Sequence, residues 1–267
     1  MIWLLPWEEE SSLKHVHWVV YALIAINVGV FLAMPGAEQA AEAWYTRYGL
    51  TPADARWFQF LTANFLHSGW MHLLGNMMFL YLFGDNVEDV LGPLGFLLLY
   101  LLSGFLGDLV FVFGNEASRI PSIGASGCIA GVAGAYAVLF ARQACSVRLM
   151  IVVFPVFKFH LSAIWLLLLW FGMDVARTIS EHGKLDEDDG VNFVAHGIGF
   201  LCGLAVALLA RWNGVMRRYE AMPVGHALLG YWPRDMEAAY FREQRILAAR
   251  RRGRAEGRAG DPWGGER

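Results

Sequence analysis

Charge is what this chain has least of. Only 17% of its 267 residues are Asp, Glu, Lys or Arg, where a soluble domain carries roughly a quarter. That shortage excludes an ordinary water-facing surface over most of the length. Cysteine is also scarce and odd in number: Cys128, Cys145 and Cys202 are scattered, two of them within apolar runs. They read as small packing residues, which argues against a disulfide framework or a metal site. The N-terminus, MIWLLPWEEE, lacks the basic stretch of a cleavable signal and carries acids instead, so the first long apolar run is expected to be a retained helix. There is no basic surplus either, the formal net charge being -3. The arginines gather after residue 210 and most acids precede it, an asymmetry that bears on orientation rather than on nucleic acid.

What is abundant is hydrophobicity, at 57%, laid out as runs of about 20 residues rather than as alternating core faces. The chain therefore reads as an all-α, polytopic membrane protein with six transmembrane helices. Residues 1–16 form a polar lead-in, 17–210 the six-span core, and 211–267 an Arg-rich tail that is partly disordered. The spans are expected near Trp18–Met34, Met71–Asn86, Gly92–Phe113, Ser126–Phe140, His160–Val175 and Val191–Ala210. Between the first two lies an aromatic-rich loop suited to the headgroup zone. Leu149–Phe157, broken by Pro155, is expected to be interfacial or re-entrant, with Lys158 and His160 as anchors at the interface. An even number of spans leaves both termini on one side, and the Arg142–Arg148 loop and basic tail make that side cytoplasmic. The acidic loop over 181–189 then lies outside.

Chemistry concentrates at Gly124-Ala125-Ser126-Gly127. A serine hydroxyl is a poor nucleophile until a base takes its proton, and an imidazole within reach is the usual base. Ser126 and His196 begin two small-residue helices at similar depth. Gly127 on the first, and Gly199 and Gly203 on the second, are spaced to allow close backbone approach. His72 and Asn76, four apart on one helix face, are both hydrogen-bond donors. Taken alone, Gly-Ala-Ser-Gly fits close packing and N-capping equally well. Its company is harder to explain that way, because polar groups inside spans are costly and tend to be functional. Asp108, deep in the third span, is a candidate third member of a triad, but it reads more simply as lying near the outer interface, hydrated. His15, His17, His182 and His226 read as surface residues.

Three segments, His67-Ser-Gly-Trp-Met-His72-Leu-Leu-Gly-Asn76, Gly124-Ala-Ser126-Gly127 and Ala195-His196-Gly-Ile-Gly199 with Gly203, together resemble the rhomboid family of intramembrane serine proteases over about residues 15–210. The resemblance implies Ser126 as nucleophile and His196 as general base and acid in a dyad without aspartate. It implies His72, Asn76 and the Ser126 amide as an oxyanion hole, and His67 as a structural histidine tying the first loop to the second span. It also implies transmembrane protein substrates in the lipid bilayer, cut near the outer membrane surface, with no cofactor and no metal. Two positions depart from the family pattern: Phe58-Gln59 stands where many members have Trp-Arg, and Ala130 where some have an aromatic residue stacked on the catalytic imidazole. The expectation is an endopeptidase of a bacterial inner membrane. Two alternatives stay open: a non-catalytic relative that binds and escorts membrane proteins, and a small transporter using Asp108 and the histidines as a proton relay.

Overall fold

The computed structural model describes residues 2–8, 16–36, 38–140, 144–151, 154–162 and 193–215, and the single positions 165, 167, 169, 172 and 242. The acidic loop, most of the expected fifth span and nearly all of the tail lie outside the described residues. The core is a helical bundle. Helix α1 (Trp18–Ala33) ends because Met34, which precedes Pro35, is extended (φ -66°, ψ 142°), and proline clashes with a helical residue before it. Helix α2 (Glu38–Tyr48) and the short α3 (Gln59–Thr62) belong to the aromatic loop. Helix α4 (Trp70–Gly114) breaks at Gly92 (φ 74°, ψ 165°), after which Pro93 opens a second limb. The two limbs, 70–91 and 93–114, fold back on each other. A Cβ on Gly84 would touch Phe96, and the far ends of both limbs return to one pole of the bundle, where His72 adjoins Gly124 and Gly107 adjoins Ala195.

Helix α5 (Ser126–Leu139) is buried along almost its entire length, between α4 and helix α6 (Phe193–Trp212). Tyr136 at its core packs at a tilt against Phe83, with ring centroids 4.9 Å apart. The outside of the bundle is apolar. Leu94, Leu98, Leu102 and Phe105 are exposed along the second limb of α4, as are Leu201, Leu208 and Leu209 on α6. The four on α4 share one helical face, and so continuous an apolar surface suits lipid, not water. Among the described helices, Trp70–Gly114 and the 194–212 stretch of α6 are long and apolar enough to cross a membrane, whereas Trp18–Ala33 and Ser126–Leu139 are shorter apolar helices. Each limb of α4 spans roughly 33 Å at 1.5 Å per residue, about the thickness of a hydrocarbon core.

The bundle is helical as the composition predicts, and beside the helices three segments pair as a small antiparallel sheet. Strand β1 (Ile2–Glu8) pairs with β2 (Ala144–Ile151), from Ile2 opposite Ile151 to Glu8 opposite Cys145, and β2 pairs with β3 (Phe154–Ser162). The polar lead-in is thus partly strand. The interfacial piece at Leu149–Phe157 and the start of a span at His160 are strand as well. The physical reason is period: Phe157, Phe159 and Leu161 alternate with Lys158, His160 and Ser162, the two-residue repeat of a strand. Proline sits where a sheet tolerates it, Pro6 on the edge strand β1 and Pro155 opposite Met150, next to the register shift in the β2–β3 pairing.

At the pole away from Ser126, α1 is fastened to α4 by a buried carboxylate. Glu88 accepts from the Val19 and Val20 amides at 3.1 and 2.9 Å, supplying acceptors for the otherwise open amides of a helix start. His17, expected at the surface, is buried there instead, its Nε2 3.6 Å from Asp89. Glu88→Ala leaves those amides without acceptors and is expected to cost about 2–3 kcal/mol, read as a lower unfolding temperature in detergent. An unchanged temperature would mean that the carboxylate carries no such role.

Candidate active site

The turn before α5 is built around Gly124, whose φ of +124° lies in a region L side chains rarely adopt. Its amide donates to the Ala63 carbonyl at 2.9 Å, fastening the turn to the loop that leads to His67. A Cβ on Gly124 would meet His72 Nε2 at 2.7 Å and stand 3.7 Å from Ser126 Oγ. The imidazole nitrogen and the hydroxyl therefore flank one small space, which only glycine leaves open. Beside it, His196 Nε2 lies 2.6 Å from Ser126 Oγ. Ser126 is half-buried and His196 buried, while Ser68 near His72 is exposed.

Seventy residues separate the serine from the histidine, and backbone contact between α5 and α6 brings them together. Gly199 faces the Gly127 carbonyl, Gly203 the Gly131 carbonyl, and Gly134 the Phe200 carbonyl. Each contact is backbone against backbone, so the register of the two helices is fixed without adjustable side chains. Ala130, which replaces the stacking aromatic, is fully buried in this same interface.

His72 is oriented by a residue that the sequence did not single out. Its Nδ1 lies 3.1 Å from Ser68 Oγ and 3.5 Å from the Ser68 amide. An amide can only donate, so Nδ1 accepts and the neutral ring carries its proton on Nε2, the nitrogen turned toward Gly124 and Ser126. Asn76 is buried on the same face, and its Nδ2 donates to the His72 carbonyl at 3.1 Å, leaving its second amide hydrogen for another acceptor. His67 is fully buried, edge-on to the His72 ring at 5.0 Å, and the Tyr45 hydroxyl donates to its carbonyl at 3.2 Å. The aromatic loop is tied down further by buried Gln59, whose Nε2 donates to the Arg47 carbonyl, and by Thr62, whose hydroxyl donates to the Tyr48 carbonyl.

Burial pushes the His67 imidazole down to about 4, the nearby His72 adds to the shift, and the Phe65 carbonyl opposes it. A group that titrates lower when folded than when unfolded takes up a proton on unfolding between the two values. Its contribution is therefore complete above pH 6.5 and is lost as pH falls toward 4, by at most about 3 kcal/mol. Unfolding temperatures measured across that window should fall with pH, and less steeply in His67→Gln. Equal slopes would contradict the assignment.

Asp108 does not sit hydrated at an interface. It is 6% exposed and its Oδ2 accepts from Asn64 Nδ2 at 2.9 Å. Asn64 escaped notice in the sequence, although a carboxylate inside a span demands a partner, and that demand was the available signal. Lys158 and His160 fall in β3, where only backbone pairing is described. Among the described residues, no group of three or more His, Cys, Asp or Glu is placed to hold a metal ion.

Set beside known proteins, residues 54–213 match the family model of the Rhomboid domain. Rhomboid-like protein 11, chloroplastic, of Arabidopsis thaliana is 36% identical over 113 residues, 42% of this chain and 39% of that protein. The putative rhomboid protease YdcA of Bacillus subtilis is 33% identical over 121 residues, 44% of this chain and 60% of that protein. Rhomboid protein 1, mitochondrial, of Saccharomyces cerevisiae is 33% identical over 146 residues, 52% of this chain and 40% of that protein. The matched regions span 39% to 60% of these relatives' lengths. The family-model match encloses the whole constellation from His67 to Gly203, and on that match over more than half its length the chain belongs to the rhomboid family of membrane proteins.

Proposed function

We propose that the protein is an intramembrane serine endopeptidase that cleaves transmembrane-helix substrates through an acyl-enzyme on Ser126. The observation that carries this reading is the 2.6 Å contact between Ser126 Oγ and His196 Nε2, a nucleophile in direct reach of its base. His196 takes the serine proton as Oγ attacks the scissile carbonyl, then delivers it to the leaving amine. Water enters, again deprotonated by His196, and releases the acyl group, so the serine is regenerated. The developing oxyanion is held by the His72 Nε2–H, by Asn76, and by the Ser126 amide, one of the first amides of α5 and so without an intrahelical partner. His67, Gly124, Gly127, Gly199 and Gly203 hold these groups in place.

The exposed apolar faces of the helices support a site reached from lipid. A substrate helix has to unwind there, because its own hydrogen bonds shield the peptide bond from attack. Six spans, cytoplasmic termini and a bacterial inner membrane complete the proposal, with cleavage near the outer surface. The test is cleavage of a single-span substrate in liposomes, with a fluorophosphonate probe as a second readout. Label on Ser126, with cleavage lost in Ser126→Ala, is the expected result. A folded protein that neither cleaves nor takes label would instead favour a binding role.

A further inference from the structure

The carboxylate of Asp108 is more deeply placed than any role so far requires. It lies on the second limb of α4 between the two helices that carry the dyad. Its neighbour Gly107 is pressed against the backbone of Ala195, the residue before His196, and a Cβ on Gly104 would meet Cys128, two residues after Ser126. The partner of Asp108 is Asn64, in the short 63–65 turn. Asn64 is buried and donates from Nδ2 to both the Phe60 carbonyl and Asp108 Oδ2, each at 2.9 Å, while its Oδ1 accepts from Cys128 Sγ at 3.4 Å. Ala63, one residue earlier, accepts the Gly124 amide. One asparagine thus joins the loop, α4 and the first turn of α5, and the helix holding its partner abuts the first turn of α6.

We infer that the Asn64–Asp108 hydrogen bond is a positioning clasp that sets the distance between Ser126 and His196. The inference rests on the dyad reading above. A paired buried donor and acceptor is costly to break, because whichever group remains is left unsatisfied. Relief comes by displacing the loop or the α4 limb, and both bear directly on the dyad's helices. Neither Asn64 nor Asp108 touches the reacting atoms in this account, and substrate binding is unaffected by them.

An exchange of partners tests it with side chains of unchanged size. Asn64→Asp sets two carboxylates against each other, and adding Asp108→Asn restores a donor facing an acceptor, now in the opposite direction. In full-length protein in liposomes, Asn64→Asp is expected to lower kcat about 100-fold with KM unchanged, and to slow fluorophosphonate labelling in parallel. The combined variant is expected to recover most of both. Asp108→Asn alone keeps an acceptor toward Asn64 and is expected to stay close to the parent. Parental labelling by Asn64→Asp, or no recovery in the combined variant, overturns the inference while leaving the nucleophile intact. A parent that takes no label sinks the dyad reading, and this inference with it. Should Asn64→Asp fail to fold, recovery of folding without recovery of labelling in the combined variant would also overturn it.

Discussion

Ser126→Ala and His196→Ala should each reduce cleavage to the same floor, and the double variant should fall no further. On the proposed mechanism the two side chains act as one unit. With Oγ and Nε2 2.6 Å apart, the imidazole in the proposed mechanism takes the serine proton and returns it to the leaving group, so without Oγ the base would have no proton to move. Without the base, the hydroxyl is almost wholly protonated at neutral pH and attacks poorly. Losses on the order of 10⁶ in kcat accompany removal of either the serine or the histidine of such a unit in serine proteases. Any residual rate would come from the oxyanion donors, His72 and Asn76, which are untouched by either substitution. Single-turnover cleavage of a transmembrane substrate in liposomes measures all three variants. If the single losses multiplied in the double variant, the two residues would be acting independently and the dyad would be wrong.

Much of this site was legible because polar side chains stand out against apolar helices. Ser126, His196, His72 and Asn76 are conspicuous in runs otherwise made of Leu, Gly and Ala, and the structure brings Ser126, His196 and His72 around one small space. The break at Gly92-Pro93 was equally plain, since proline can open a helix but not continue one. What stayed hidden depended on partners distant in sequence. Asn64 and Ser68 look like ordinary loop residues until the fold places Asp108 and His72 beside them. His17 looks solvated until α1 docks on α4 and Asp89 closes over it. The pairing of β2 with β3 rests on a weaker signal, the two-residue alternation from Phe157 to Ser162 inside an otherwise apolar stretch.

The second large effect is expected far from any reacting atom. Gly203→Val should abolish folding, and Gly203→Ala should be severely destabilising, because a Cβ there would run into the Gly131 carbonyl and the Ala135 amide nitrogen. Both obstacles are backbone within a helix that is itself buried on all sides, so neither can rotate away as a side chain would. Relief requires α5 and α6 to separate. Separation loses the packed contacts along the interface and pulls His196 away from Ser126, whose 2.6 Å contact depends on the same register. Overpacking a rigid core costs about 1–3 kcal/mol even where neighbours adjust, and here they cannot. Gly29 on α1 is the control: nothing lies within 4 Å of the position its Cβ would take, and alanine there should stabilise the helix by up to about 1 kcal/mol. Thermal unfolding in detergent separates the cases, with Gly29→Ala at or above the parent and Gly203→Ala far below it. A Gly203→Ala protein as stable as the parent would mean that the helices do not approach so closely, and the geometry of the dyad would have to be rebuilt on a wider interface.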